Sequence, residues 1–324
     1  MSKKVKKILV ESIMTDEKIA SMEGMYFPES HYKKIIKTDC DVYGLNKQTG
    51  KKKLLLKFRK KVIPNKLCRL AVHSFAEAAK KKHENRGAAG GHLDRKKLRG
   101  YVGDLINSKK FRSGYISSIS GEKSNQMISN LAPSNIIGFY DKPDRNLKGK
   151  GAQCRLTAFN RDHKELWKKA KPFIKRVDRI FKRLVPGAYK RQHSRAHETE
   201  KFAIDDTCFS TITINYSWRT GLHKDSGDFK DGYGNLVVCE DENNPNKYKG
   251  CYTGFPQYGV AVDVREGDFL AMDVHEWHAN TEFKPYRKNS KPKVSKTKRV
   301  TQDNKNDVEN DWHYNRLSMV FYLR

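Results

Sequence analysis

The clearest helical pattern lies in the middle of the chain, where apolar side chains recur every three or four positions over residues 163–187. Lysine and arginine fill most of the positions between them. This spacing predicts an amphipathic helix with a buried apolar stripe and a strongly basic opposite face. Pro172 predicts a kink, or a helix that begins near Lys171, and Pro186-Gly187 ends the helix. We expect solvent to cover the basic face, with contact to phosphate groups as the alternative.

A second helix is predicted nearer the start of the chain. After Pro64 the apolar residues of the segment 67–79 fall close to helical spacing, and the glycine-rich segment 85–91, NRGAAGG, follows. The segment 134–141, SNIIGFYD, has the composition of a short strand. Residues 1–60 are rich in lysine and show no regular pattern, so we predict an irregular basic N-terminal extension.

After Asp205 the hydrophobic pattern changes to a period of two. Short β-branched or aromatic runs are separated by Gly, Asp, Asn and Pro; they are CFSTITINYS, GNLVVC, YGVAVDV, DFLAMDV and LSMVFYLR. Several short strands within about 120 residues favour a jelly roll or barrel over a parallel sheet.

A basic segment interrupts this strand pattern. Residues 284–300, KPYRKNSKPKVSKTKRV, contain eight basic residues and no acidic ones. Such a composition is typical of a flexible loop, and we predict a basic insert over residues 284–310. The chain then divides into the extension 1–60 and a catalytic domain, 61–324. In that domain residues 61–205 are helical and mixed, and residues 206–324 are rich in strands.

The net charge of the chain indicates what kind of molecule the protein binds. The 324 residues include 66 Lys+Arg and 37 Asp+Glu, which gives a formal net charge of +29. Such an excess suits a polyanion, because neutralised phosphates release condensed counterions. We therefore expect a nucleic acid, with an anionic membrane surface and general solubility as alternatives.

The N-terminal sequence and the cysteines indicate in which cellular compartment the protein is found. No apolar run approaches the length of a membrane span, and the N-terminus resembles neither a signal peptide nor a transit peptide. Six cysteines without a CxxC pair favour a reducing environment. We expect an intracellular protein that is not secreted, in a nucleus or in viral or bacterial cytoplasm.

The candidate chemistry lies at the ends of the predicted strands. His223 and Asp225 are two positions apart after a convincing strand, so both side chains can point to one face. A third ligand from further along the chain would complete a 2-His-1-carboxylate triad, which leaves coordination positions open on iron(II). His278 is favoured over His275 because it lies at the expected end of the strand that begins at Asp268.

Arg316 begins the final strand of the chain. A guanidinium there can hold the distal carboxylate of 2-oxoglutarate through a bidentate pair. The predicted cofactors are therefore iron(II), with 2-oxoglutarate and dioxygen as co-substrates.

These motifs resemble the TET/J-binding-protein family of DNA-base dioxygenases, over residues ~65–324. The segments that carry the resemblance are FSTITINYSWRTGLHKDSGDFKDGYGNLVV, DFLAMDVHEWHANTEF and RLSMVFY. It implies an α+β fold with a double-stranded β-helix (jelly-roll, cupin-like) core and N-terminal helices packed against it. It also implies His223, Asp225 and His278 as iron ligands and Arg316 as the co-substrate anchor. Ascorbate stays open as a reductant or an alternative co-substrate.

The resemblance further implies oxidation of the 5-methyl group of a pyrimidine in DNA. We expect 5-methylcytosine first, giving 5-hydroxymethylcytosine with further oxidation left open, and thymine second. The base must flip out of the duplex to reach an enclosed iron. Tyr216, Trp218 and Arg219 are the candidates to hold it, although Trp218 could instead pack in the barrel. We expect a monomer without a zinc module or a membrane partner.

Three other functions remain open at this point. The same site could serve an oxygenase that acts on RNA, a protein, a lipid or a small molecule. A DNA-binding protein with an inactive metal site is the alternative from another class. A metal-binding cupin without oxygenase activity fits less well, because cupins usually supply more histidines.

Overall fold

The computed structural model describes residues 5–83, 86–91, 132–139, 155–198, 202–286 and 314–324. Within these ranges the α-helices are α1 (Asp16–Ala20), α2 (Asn65–Lys80), α3 (Ala158–Asp162), α4 (Lys164–Leu184) and α5 (Pro186–Ala196). The strands are β1 (Lys6–Glu11), β2 (Lys34–Ile36), β3 (Cys40–Leu45), β4 (Lys52–Arg59), β5 (Lys82–His83), β6 (Ala132–Gly138), β7 (Thr211–Tyr216), β8 (Gly234–Glu240), β9 (Tyr248–Gly250), β10 (Thr253–Phe255), β11 (Val260–Val262), β12 (Phe269–Met272), β13 (Ala279–Asn280), β14 (Phe283–Pro285) and β15 (Arg316–Tyr322).

Most of these strands belong to two sheets. The larger sheet has nine strands in the order β1-β3-β4-β12-β8-β15-β7-β6-β5, and the smaller has four in the order β13-β10-β11-β2. Strand β15 lies between β7 and β8 and is antiparallel to both. The fold therefore contains both helices and large sheets, which agrees with the predicted mixture of α and β structure.

Helices cover one face of the nine-stranded sheet. Because side chains alternate along a strand, every second residue of β7, β8 and β15 points toward helices α2, α4 and α5. These side chains are buried together in one core, which includes Phe75, Phe173, Val177, Ile212, Ile214, Val237, Leu317, Met319 and Phe321. Each such side chain contributes roughly 1.5–3 kcal/mol through removal from water.

The other face of the nine-stranded sheet turns toward the four-stranded sheet. The core between them contains Leu236, Val238, Leu270 and Met272 from the larger sheet and Phe255, Val260 and Val262 from the smaller. The alternate residues of β7 and β15 lie on this second face, where the two sheets leave a cavity. The strands thus supply the helix-covered core and the cavity wall at once.

The segment 1–60 is not irregular, and that prediction is wrong. Its described part contains β1 to β4 and α1, and β4 pairs with β12 in the larger sheet. Lysines at the exposed positions of these strands conceal the pattern, while Leu55, Leu56 and Phe58 of β4 are fully buried. A domain boundary at residue 60 remains a prediction.

Helix α4 begins at Lys164 and runs past Pro172 without a new start near Lys171. The loss of one backbone hydrogen bond at proline is offset by the buried stripe that continues on both sides of it, including Ala170 and Phe173. In the part of the chain that the structure describes, no helix has the length and apolarity of a membrane span. The predicted basic insert lies outside the described residues from position 287 to its end at 310.

Candidate metal centre and cavity

Two histidines meet across a pair of backbone hydrogen bonds. The amide nitrogen of His223 donates to the carbonyl oxygen of His278, and the amide of His278 donates to the carbonyl of His223, each over 3.0 Å. This antiparallel bridge brings the two imidazole rings to a centroid distance of 4.2 Å. The segment after β7 and the segment before β13 therefore place their rings side by side.

Asp225 completes a three-residue cluster. Its amide nitrogen donates to the carbonyl oxygen of Val274 over 3.0 Å, which fixes the loop. Its two carboxylate oxygens lie 3.6 Å from the Nε2 atoms of His223 and His278. The three ligand atoms all lie within 4.8 Å of one another. Metal–ligand bonds of about 2 Å put adjacent ligand atoms roughly 3 Å apart, so small side-chain movements suffice for coordination.

The second nitrogen of each ring is held by the backbone. Nδ1 of His223 lies 2.8 Å from the carbonyl oxygen of Gly221, and Nδ1 of His278 lies 2.9 Å from that of Glu276. A carbonyl oxygen only accepts, so each Nδ1 carries the proton and each Nε2 keeps its lone pair for a metal. Burial, with the neighbouring His278, lowers the pKa of His223 to about 4, so the ring is neutral at neutral pH.

His275 does not join this cluster. Its Nε2 atom lies 3.1 Å from the carbonyl oxygen of Phe229, and its amide nitrogen donates to Asp273. The structure thus brings together His223, Asp225 and His278, the set that the spacing favours, and leaves His275 outside. Two imidazoles and one carboxylate in this arrangement fit a facial triad with open positions on iron(II).

The cluster borders a cavity of about 450 Å³. One wall is the face of β7, β8 and β15 that points away from the helices, with Thr213, Asn215, Leu236, Arg316, Ser318, Val320 and Tyr322. Arg316 and Ser318 lie toward the start of β15 with Asn215 beside Ser318, and the apolar residues Val320 and Leu236 are paired further along. The size and mixed lining are typical of a small-molecule site.

Arg316 is the most unusual residue of the cavity wall. It is only 2% exposed, and its volume is the largest among the fully buried side chains that the structure describes. Its Nε atom has no hydrogen-bond partner, and no carboxylate lies within ion-pair distance of the guanidinium in the described ranges. Burying an unpaired charge is costly unless a ligand of opposite charge completes the site. The side chain therefore fits a bound carboxylate such as that of 2-oxoglutarate.

The three residues predicted to contact the substrate lie in different places. Trp218 lines the cavity and packs against Ala89 and Ala132. Tyr216 lies on the opposite face of the sheet, because it follows Asn215 by one position, and its hydroxyl donates to Asp241 over 2.7 Å.

Arg219 is not part of the cavity lining either. Its guanidinium donates to the carbonyl oxygens of Phe27 and Asn280 and lies over the ring of Tyr26. The polar groups of Tyr216 and Arg219 are thus used within the protein and lie outside the cavity lining, which speaks against a direct substrate role for them. A substrate role for Trp218 stays a prediction.

Several cavity residues were missed in the sequence. Ser318 and Tyr322 follow Arg316 by two and six positions, so strand alternation from Arg316 was the signal that could have found them. Asp228 also lines the cavity. Burial, with the nearby Asp228 carboxylate, raises the pKa of Tyr322 to about 12, so its hydroxyl stays protonated.

The sequence matches the family model of the Tet_JBP oxygenase domain of the 2OGFeDO superfamily over residues 135–324. This match covers more than half of the chain and includes the metal cluster and Arg316. The chain belongs to the Tet_JBP family. The predicted family is thereby confirmed. Iron(II), 2-oxoglutarate and dioxygen are the cofactor set of this superfamily, so the predicted set is confirmed as well.

Named relatives of this Tet_JBP chain are much longer proteins. It is 31% identical over 191 residues to thymine dioxygenase JBP1 of Trypanosoma brucei brucei, across 59% of this chain and 19% of the relative. It is 30% identical over 189 residues to the bifunctional helicase and thymine dioxygenase JBP2 of Leishmania major, across 58% of this chain and 14% of the relative. The matched region is thus less than a fifth of either relative.

A solved structure of NgTET1 in complex with 5mC DNA overlaps 96% of this chain and 91% of its own. The identity is 10% and the TM-score is 0.43. This likeness is too weak to bear on the fold or function of the Tet_JBP chain.

Proposed function

We propose that this protein is an iron(II)- and 2-oxoglutarate-dependent dioxygenase that oxidises the 5-methyl group of a pyrimidine base in DNA. His223, Asp225 and His278 would hold the iron, and Arg316 would hold the distal carboxylate of 2-oxoglutarate. The observation that carries the proposal is the presence of the three-residue cluster and a buried, unpaired guanidinium in one cavity. The two facing sheets around that cavity support a double-stranded β-helix core.

Each protein group has a definable task in this chemistry. Iron(II), when bound, supplies the activation of dioxygen and the oxidising power. The backbone carbonyls at Gly221 and Glu276 hold the two histidine rings in the tautomer that offers Nε2. The hydroxyl groups of Ser318 and of the protonated Tyr322 both line the cavity and can hydrogen-bond to bound molecules.

The DNA substrate is supported by charge and by the relatives. The net charge of +29 favours a polyanion, and the JBP1 and JBP2 relatives are named as thymine dioxygenases. A base inside a duplex cannot reach an enclosed metal, so we infer that the target base flips into the cavity beside Trp218. The relatives support thymine as the substrate, and 5-methylcytosine, expected from the sequence, remains the second candidate.

Nucleoside mass spectrometry tests this proposal and separates the two bases. Duplexes with and without 5-methylcytosine are incubated with the protein, iron(II), 2-oxoglutarate and air, and each small molecule is omitted in turn. We expect an oxidised thymine or cytosine nucleoside together with succinate, and loss of both products for His223→Ala. The matched control is His275→Ala, which removes a nearby histidine outside the cluster and should retain activity.

The other outcomes are equally informative. Succinate without any change in the DNA would keep the oxygenase and reject the substrate. No succinate and no oxidised base from an iron-loaded protein would reject the oxygenase and favour a DNA-binding protein with an inactive site.

A further inference from the structure

A row of basic side chains runs along the exposed face of α4. It consists of Lys164, Lys168, Lys171, Lys175, Arg179 and Lys182, spaced by steps of three or four residues. At 3.6 residues per turn these positions fall within an arc of about 80° around the helix axis, and the helix is about 31 Å long. We call this row the α4 stripe.

Little of the stripe's charge is neutralised within the protein. Lys171 pairs with Asp205 at 2.6 Å and Lys175 pairs with Asp206 at 3.3 Å. The other four members have no ion pair to any residue that the structure describes. Each of these four side chains is exposed.

The acids of α4 itself do not compensate for this charge. Asp178 is buried, accepts a hydrogen bond from the hydroxyl of Tyr189 and accepts another from the amide of Cys208. Glu165 is exposed but stands alone beside the stripe. The next helix adds further exposed cations, Lys190 and Arg191, and contains no acid. The face as a whole is therefore strongly positive.

The stripe and the cavity lie on opposite sides of the nine-stranded sheet. The buried side of α4, with Phe173 and Val177, packs in the same core as Met319 and Phe321 of β15. The cavity instead takes the alternate residues of that strand, such as Ser318. A duplex that inserts a base into the cavity therefore cannot lie along the stripe with the same segment.

We propose that the α4 stripe is a second DNA-binding surface, which contacts phosphates of a duplex segment distinct from the one at the cavity. B-form DNA carries one charge per about 1.7 Å of its axis, so the row of cations, about 27 Å long, matches roughly eight base pairs. Lysine-rich contacts of this kind fix position without reading sequence. This inference rests on the proposed function, which makes DNA the substrate, and it identifies an additional surface of the protein that binds the DNA.

An anionic membrane is the weaker partner for this surface. A helix that binds a membrane inserts its apolar face between the lipids. The apolar face of α4 is instead buried in the protein core, with Phe173, Val177 and Phe181 fully covered. Only charge remains for contact with a partner, which fits a phosphate backbone.

Salt-dependent binding to a 40-base-pair duplex tests the stripe. The stripe variant carries Lys164→Glu, Lys168→Glu, Arg179→Glu and Lys182→Glu. The matched control carries Lys6→Glu, Lys7→Glu, Lys37→Glu and Lys51→Glu, four exposed lysines of the N-terminal region with the same change in net charge. Binding is measured without iron or 2-oxoglutarate, so the result is readable even if no base is oxidised.

We expect the stripe variant to lose about tenfold or more in affinity near 0.1 M salt. We also expect the slope of log affinity against log salt to flatten by up to about 3.6, since each of the four phosphate contacts contributes about 0.9. The control variant should change the slope by less than about 1. If the protein oxidises DNA, turnover of a 12-base-pair substrate should be unchanged, and the KM for long DNA should rise.

Equal slopes for the stripe and control variants would overturn the proposal and leave the stripe as a solvated face. Loss of binding to phosphatidylserine vesicles, with duplex binding unchanged, would also overturn it in favour of a membrane. A thermal unfolding curve checks that the stripe variant is folded. If it is not, the corresponding Gln substitutions at the same four positions remove the charge with less strain, and a smaller flattening of the slope is expected.

Discussion

The two faces of the nine-stranded sheet are built from the same strands but differ in the side chains that they bury. Toward the helices, β15 contributes Leu317, Met319 and Phe321 to a core that consists mostly of apolar side chains. Toward the cavity, the same strand contributes Arg316, Ser318 and Tyr322, with the arginine buried and unpaired. Burial of apolar surface accounts for most of the helix face, whereas the buried and unpaired arginine of the cavity face fits a site that is completed by a bound anion.

The largest expected effect is at the cavity face. His278→Ala removes one of the three proposed metal ligands, so iron binding and the proposed oxidation of DNA should fall by at least about 100-fold. His275→Ala, the matched control, should remain within about twofold, since its ring bonds to a backbone carbonyl outside the cluster. Equal losses from the two variants would contradict the assignment of the ligands.

A core truncation on the helix face should show the opposite profile. Phe321→Ala leaves a cavity among Phe173 and Phe209, and the free energy of unfolding should fall by about 3–5 kcal/mol. Turnover per folded molecule should be nearly unchanged. Chemical denaturation and an activity assay at low temperature measure the two quantities, and Val320→Ala on the cavity face is the paired control with a smaller loss of stability.

Substitution of Arg316 should change the free energy of unfolding and the binding of 2-oxoglutarate in opposite directions. Arg316→Met replaces a buried, unpaired charge with an apolar chain of similar length, so the free energy of unfolding should rise by about 1–3 kcal/mol without ligand. Binding of 2-oxoglutarate should weaken by about 100-fold, because charge-assisted hydrogen bonds are lost. Lower stability of this variant together with normal co-substrate affinity would mean that the arginine is structural.

The smallest expected effect is at Tyr216. Tyr216→Phe removes the hydrogen bond from its hydroxyl to Asp241, and the free energy of unfolding should fall by about 0.5–1.5 kcal/mol. The KM for DNA should not change, because this side chain faces the helices. A rise in KM without loss of stability would restore the substrate role first expected of this tyrosine.

The comparison of the faces also explains what could be predicted from the sequence. The spacing of His223 and Asp225 after a strand, and the position of Arg316 at the start of another, are local patterns that survive into the fold. His278 does lie in the cluster and His275 does not, but strand β12 ends at Met272, and the bridge to His223 places His278 there instead. The first two features depend on a few neighbouring residues, which is why sequence reasoning reached them.

Features that depend on the pairing of strands far apart in the sequence were harder to predict. Tyr216, Trp218 and Arg219 are close in sequence and were treated as one group, yet the sheet and the turn after it direct them to three different environments. The strands of the segment 1–60 were missed in part because lysines occupy exposed positions of β1 and β4. In addition, β2 and β4 join the rest of the fold through β11 and β12, which lie some 200 residues away. Such pairing is set by the whole fold.

Anaerobic titration of the purified protein with iron(II) and then 2-oxoglutarate tests the central claim most directly. We predict one equivalent of each, with a visible charge-transfer band when the co-substrate joins the iron. His278→Ala should lose iron binding, Arg316→Met should bind iron without 2-oxoglutarate, and His275→Ala should behave as the unaltered protein. Undiminished iron binding in His278→Ala, or undiminished 2-oxoglutarate binding in Arg316→Met, would contradict the proposed site.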